Sequence, residues 1–192
     1  MKENTRDRIC TAVLKMIEAP GGAGGVTMRK VADAVGVTPM AIYKHFANRE
    51  DLLQAATLLE YGRIAEYFEK ANARKTNKGL HGMLGYLEYA LDHPHLFKYV
   101  FSSPRNDAYV YPDPNTEKSP TFKILITQIQ AAMDAGKLQS DNALEVSLDV
   151  WAFAHGLVSL YLAGRIRLSQ NAFRELYLRS LDRLLYGLRR VA

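Results

Sequence analysis

Between Thr27 and Leu53 the chain reads TMRKVADAVGVTPMAIYKHFANREDLL, and the groups gathered there suit recognition of a polyanion. Tyr43, Lys44 and His45 can donate to phosphate oxygens, and Thr38, Pro39, Met40 and Ala41 offer methyl and methylene groups that can touch thymine methyls and base edges. Thr27 with Arg29 behind it, and Arg49, fall at expected helix starts, where backbone N–H groups and a hydroxyl or guanidinium together grip phosphate. Covalent chemistry has no comparable constellation. There is no nucleophile elbow, no paired histidine beside a glutamate on one helix, no phosphate loop and no cysteine beside a base, so the chain is not expected to be an enzyme. His93 and His95 flank Pro94 without an identifiable third ligand, so no metal site is expected, and no cofactor is implied. Cys10, the single cysteine, reads as a packing residue that needs no oxidising compartment.

These groups must be positioned by helices. Ile9, Ala12, Val13, Met16 and Ile17 have the spacing of an amphipathic helix from about Thr5, ended by Pro20 and the glycines at 21, 22, 24 and 25. Thr27 is placed to cap a short helix through Val35 that stops at Gly36. Thr38 caps the next, with Pro39 first, running to about Phe46. On that helix Ile42 and Phe46 point to the core and the polyanion-seeking residues point outward. Two short helices around a tight turn make a helix-turn-helix, whose second helix enters the DNA major groove. Asn48 caps a long helix towards residue 73. Further helices are expected from about Lys78 to His93, Leu96 to Phe101, Thr121 to Ala135, Ala143 (capped by Ser140 or Asp141) to Ala163, and from Ser169 or Asn171 onward. Gly79, Gly82 and Gly85, at steps of three, suit close helix packing. Residues 102–120, with four prolines, form a long connection. No period-two run with hairpin turn residues occurs. The fold class is all-α: a three-helix unit over residues 1–47, then a larger helical bundle over 48–192.

Charge agrees with that division. Residues 1–49 hold eight Lys or Arg against four acids, whereas residues 50–192 hold 17 against 16, within a formal net charge of +5. A basic first quarter on a nearly neutral remainder points to one end meeting a polyanion. With 48% hydrophobic residues, one cysteine and no export signal or membrane span apparent, the chain reads as a cytoplasmic globular protein.

The series Thr27, Arg29, Val31, Ala32, Gly36, Val37, Ile42, Tyr43, His45, Phe46, Arg49, Leu52 and Leu53 resembles, in order and spacing, the signature of the TetR family of bacterial transcriptional repressors. Trp151, His155 and Gly156 in WAFAHGLVSLYLAGR look like the Trp, His, Gly pattern of one subgroup of its ligand domains. The resemblance implies a homodimer that binds a near-palindromic double-stranded operator and releases it when a small molecule enters the larger domain. It implies phosphate contacts for Tyr43 and His45, a basic contact at Arg49, and base reading by Thr38, Met40 and Ala41. Pro39, Met40 and Ala41 carry no amide or guanidinium, so the operator would be read largely through methyl contacts and DNA shape.

A small molecule held between the bundle helices 78–101, 121–135 and 143–163 would meet some of Tyr67, Tyr86, Tyr89, Phe97, Phe101, Phe122, Trp151 and His155. The last two helices are apolar around much of their circumference, which a second copy can cover; Leu157, Tyr161, Leu181, Leu184, Leu185 and Leu188 are the expected interface. The residues leave open a constitutive dimeric DNA-binding protein without a ligand and, less readily, a helical enzyme.

Overall fold

Helix caps and stops divide the chain at the places where its residues satisfy orphan backbone groups. The computed structural model describes residues 4–73, 81–103 and 120–188. Among them are nine α-helices: α1 Thr5–Glu18, α2 Met28–Val35, α3 Pro39–Tyr43, α4 Arg49–Ala73, α5 His81–Asp92, α6 Pro94–Ser102, α7 Pro120–Asp134, α8 Ala143–Leu162 and α9 Gln170–Gly187, with a 3₁₀ turn at Gly22–Gly25 and no strand among the described residues.

Thr27 Oγ1 accepts from the Lys30 N–H at 3.2 Å and Thr38 Oγ1 from the Ala41 N–H at 3.3 Å, so both expected N-caps are made. At the start of α4 the Asn48 side chain accepts from the Asp51 N–H at 2.8 Å and Asp51 accepts from the Ala47 N–H at 2.9 Å, a reciprocal pair that holds the turn after Phe46 closed. Gly36, at φ 72°, ends α2 in the left-handed conformation that a side chain would resist.

Three boundaries differ from the sequence expectation. α3 ends at Tyr43, and Lys44 and His45 form a turn in which the Phe46 N–H still reaches the Ile42 carbonyl at 3.1 Å. Pro94 is the first residue of α6, where its missing N–H is not needed. The cap of α8 is Asn142, whose side chain accepts from Leu144 and Glu145; Asp141 instead bonds the Asn142 N–H. The expected start near Lys78 and most of the 102–120 connection lie outside the described residues.

By packing, residues 4–63 and 92–103 form one compact unit, and 64–73, 81–91 and 120–188 form another, so the unbroken α4 belongs to both. In the first, Ile9, Val13 and Ile17 of α1, Val31 of α2 and Ile42 of α3 are buried together with Leu96 and Phe97 of α6. α6 packs on α1 and the glycine turn. Its Leu96 N–H donates to the Glu18 carboxylate at 3.1 Å, so an acid at the unfavourable end of α1 meets the positive end of α6, where His93 supplies no side-chain cap. The second unit packs α8 on α7 and on α9, with Val150, Ala154 and Val158 fully buried. α8 is, among the described residues, the one helix long and apolar enough to cross a membrane; in this fold one side of it, with Val150, Ala154 and Val158, is buried, and Phe153 and Leu160 are exposed.

Gly85 of α5 sits directly against α4: a Cβ there would lie 2.6 Å from the Tyr67 carbonyl oxygen and 2.9 Å from the Phe68 Cα. Backbone cannot move aside cheaply, so Gly85→Ala is expected to cost about 1–3 kcal/mol and lower Tm by several degrees. Gly62 of α4 has open space around its Cβ position. Gly62→Ala is expected to raise Tm slightly through helix propensity, and thermal unfolding of the two variants checks the contrast.

Candidate nucleic-acid interface

The helix-turn-helix sorts its residues by burial as a docking surface requires. On α3 and the turn after it, Ile42 and Phe46 are buried while Thr38, Pro39, Met40, Tyr43, Lys44 and His45 are exposed and Ala41 is half-buried. Met40 and Tyr43, one helical step of three apart and therefore on one side, are 69% and 51% exposed. Thr27 and Arg29 are exposed at the amino end of α2, whose first N–H groups have no carbonyl one turn behind them. These nine expected residues thus share the accessible surface of α2, α3 and the turn.

The tenth, Arg49, is arranged differently. Its Nε–H donates to the Val26 carbonyl at 2.8 Å and Nη2 to the Ala23 carbonyl at 2.5 Å, and Nη1 lies 3.6 Å from Glu50 Oε1. Lys30 Nζ donates to the Gly25 carbonyl at 3.2 Å. The Arg6 guanidinium lies over the Phe46 ring, 5.1 Å from its centroid, and Arg8 Nη2 is 3.5 Å from the Val35 carbonyl. Sequence reasoning missed these inward roles because nothing in a cation's identity tells whether it faces a carbonyl or solvent. Cys10 is buried, and burial pushes its thiol pKa up, which suits packing.

In the second unit the structure brings together four of the eight aromatic or histidine residues considered for a ligand site. Tyr86 of α5 meets Trp151 and His155 of α8: Trp151 Nε1–H donates to the Tyr86 hydroxyl at 3.3 Å, and that hydroxyl is 2.7 Å from His155 Nδ1. Phe122 of α7 tilts against Trp151, centroids 5.6 Å apart. Burial drives the Tyr86 pKa upward and the His155 pKa downward, so the phenol keeps its proton and the imidazole is neutral. An indole N–H only donates, so the Tyr86 oxygen accepts from Trp151 while the same hydroxyl shares a hydrogen bond with His155 Nδ1. Tyr67 and Tyr89 form a separate edge-to-face pair, whereas Phe97 and Phe101 contact each other on α6 in the first unit.

The expected self-association residues divide as well. Leu181 and Leu185 are 6% and 9% exposed and belong to the chain's own core, and Tyr161 stacks on Phe173 at 3.9 Å. Leu157, Leu184 and Leu188 are half-buried. On α8 and α9 the exposed large apolar side chains are Phe153, Leu160, Leu178 and Tyr186; elsewhere Leu58 and Leu59 of α4 are exposed as well. Burial, which periodicity alone cannot apportion between two apolar faces, decides this.

A model of bacterial regulatory proteins of the tetR family matches residues 19–56, and a model of the tetracyclin repressor-like C-terminal domain matches residues 80–184, more than half of the chain. The nucleoid occlusion factor SlmA of Aliivibrio fischeri (strain MJ11) is 37% identical over 77 residues, 40% of this chain and 35% of SlmA. The chain therefore spans about a third of the length of the curated relatives it matches. A protein with unknown function from Rhodococcus sp. RHA1 superposes with a TM-score of 0.80 at 20% identity, covering 98% of this chain and 97% of that one. The transcriptional regulator FadR from Bacillus subtilis, in complex with stearoyl-CoA, gives 0.70 at 17% identity over 91% of this chain and 96% of its own. Identities this low establish shared fold.

The neutral His155 makes stability pH-dependent with a defined sign. Above the ordinary imidazole pKa of 6.5 it is neutral whether the chain is folded or not; as pH falls through that value the unfolded chain takes the proton first, and stability is lost. Wild-type Tm is expected to fall between about pH 7.5 and pH 5.5 by more than that of His155→Gln, whose uncharged amide can either donate to or accept from the Tyr86 hydroxyl. Equal falls in a paired thermal scan would assign the acid sensitivity elsewhere.

Proposed function

Because the chain belongs to the TetR family of bacterial regulatory proteins, we propose that it is a homodimeric repressor that binds a near-palindromic operator and leaves it when a small molecule binds the larger domain. The observation that carries the DNA part is the sorting on α3 and its turn: Ile42 and Phe46 inside, Met40 and Tyr43 together outside, on a helix capped by Thr38. Thr27, Arg29, Tyr43, Lys44 and His45 position the protein on phosphates; Thr38, Pro39, Met40 and Ala41 meet bases through methyl contact and groove shape. A protein with this task works where the DNA is, in the cytoplasm.

Two recognition helices must reach major grooves about 34 Å apart, or a small multiple, so a change in their separation spoils the fit. α4 runs unbroken from Arg49 to Ala73 and carries displacement of one end to the other. An effector acts by favouring the spacing that does not match DNA; one that bound both spacings equally would do nothing. The stearoyl-CoA held by the similarly folded FadR supports an effector with a large apolar part, and the Tyr86, Trp151 and His155 group offers polar anchoring among aromatic side chains.

Selection of bound sequences from random duplex DNA tests the first step, and a screen of metabolites, acyl thioesters among them, against the enriched duplex tests release. Tyr43→Ala is expected to weaken all sequences about equally, whereas Met40→Ala is expected to change the enriched sequence. Failure of the wild-type chain to enrich any duplex would overturn the reading, and enrichment with no effector in a broad panel would favour constitutive binding.

Self-association is proposed through the surface that is apolar and open in one chain. Phe153, Leu157 and Leu160 recur along one side of α8, and a Cβ on Gly156 beside them would meet nothing within 4 Å. Leu178 and Tyr186 on α9 extend the exposed apolar surface. Leu160→Asp and Gly156→Leu are expected to leave the fold intact and yield monomers in sedimentation, since the charge or bulk would enter a dry interface. Leu185→Asp, at a position buried within the chain, is expected to unfold it instead.

A further inference from the structure

The glycine turn between α1 and α2 packs on α1 and α6 and makes two backbone bonds of its own, from the Gly22 N–H to the Ala19 carbonyl and from the Val26 N–H to the Ala23 carbonyl, but it has few side chains to fix it. Gly21, Gly22, Gly24 and Gly25 carry no side chains, and the Cβ positions of all four lie in open space. Yet the turn leads directly into Thr27 and the amino end of α2. Three of its carbonyls accept hydrogen bonds from cationic side chains: Ala23 and Val26 from Arg49, and Gly25 from Lys30. The guanidinium is suited to this task, because Nε–H and Nη2–H point the same way in a rigid fork and reach two carbonyls at once. Its remaining edge, at Nη1, faces the Glu50 carboxylate, and a carboxylate there repels a phosphate approaching the same edge.

We propose that Arg49 is a positioning residue for DNA docking, acting through the glycine turn, and not a phosphate contact. By fixing the Ala23 and Val26 carbonyls it sets where the Thr27 hydroxyl and the first N–H groups of α2 stand relative to α4. Lys30 assists through the Gly25 carbonyl. The inference rests on the DNA-docking reading above and goes beyond it by removing one charge from the contact set and giving that charge a structural target.

Arg49→Lys separates the two roles. It keeps the charge and loses the fork, so a phosphate contact would survive it and a two-carbonyl clamp would not. With the duplex enriched by selection as probe, Arg49→Lys and Arg49→Ala are both expected to lose about tenfold or more in affinity. The slope of log affinity against log salt is expected to stay at the wild-type value, because the contacts being set are made by a hydroxyl and neutral N–H groups. Hydrogen exchange is expected to quicken across residues 22–30 in Arg49→Lys while the amides of α1 stay protected. Lys30→Gln, the milder variant, is expected to repeat the pattern at smaller amplitude should Arg49 variants fold poorly. The proposal is overturned if Arg49→Lys binds as wild type while Arg49→Ala loses about 0.9 of the slope, which is one phosphate contact. Unchanged exchange over 22–30 with reduced affinity would also overturn it. Wild-type protein that binds no duplex removes the DNA reading itself, and this proposal with it.

Discussion

A helix of five residues cannot hold itself in water, and the part of this protein that faces outward on α3 depends on that constraint being met from outside the helix. Pro39–Tyr43 is little more than one turn. Its stability comes from Thr38 capping the Ala41 N–H, from Pro39 pre-setting the first φ, and above all from Ile42 and Phe46 inserting into the core of α1 and α2. Phe46 lies beyond the helix, so the turn through Lys44 and His45 is needed to bring it back to the core. The Arg6 guanidinium over its ring closes the same corner from α1. Met40 and Tyr43 can be exposed because two residues on the other side are not.

The same economy changes how the basic first quarter should be understood. Of its eight Lys and Arg residues, Arg6, Arg8, Lys30 and Arg49 each meet a ring or a backbone carbonyl of the first unit. Backbone carbonyls at a helix end and in a turn without regular pairing need donors, and a long cationic side chain supplies one while its stem covers apolar surface. Charge excess in a sequence is therefore an upper bound on charge available to a polyanion. Under the proposed DNA binding, the field of all these cations steers a phosphate backbone toward this unit, while those held by a ring or a carbonyl are less available to touch it.

Most of the first unit was legible in the sequence because its signals are local. Thr27, Gly36, Thr38 with Pro39, and Asn48 each act within four residues, and each cap or stop forms where its residue type requires. What was not legible depends on partners far along the chain. Nothing near Pro94 announces that α6 packs on α1 and takes the Glu18 carboxylate 78 residues away, which puts Phe97 and Phe101 in the first unit. The Tyr86 and His155 bond spans 69 residues. The division of α8 and α9 residues between core and surface is of the same kind: both helices carry more apolar residues than one seam can bury, and only the packed neighbours select which.

That surplus on α8 has a geometric consequence. At about 100° per residue, Trp151 and His155 lie on one side of the helix with Ala154 and Val158, and Phe153, Gly156, Leu157 and Leu160 lie on the opposite side. The first side holds the Tyr86 hydrogen bonds and the buried seam; the second is the apolar surface left open by the chain itself. Under the proposed ligand reading, a molecule that displaces Tyr86 from His155 acts on the buried side of this helix, with the apolar surface behind it. Under the proposed dimer, ligand and second copy act on opposite sides of a single rigid element, and coupling between them needs no chain of intermediate residues.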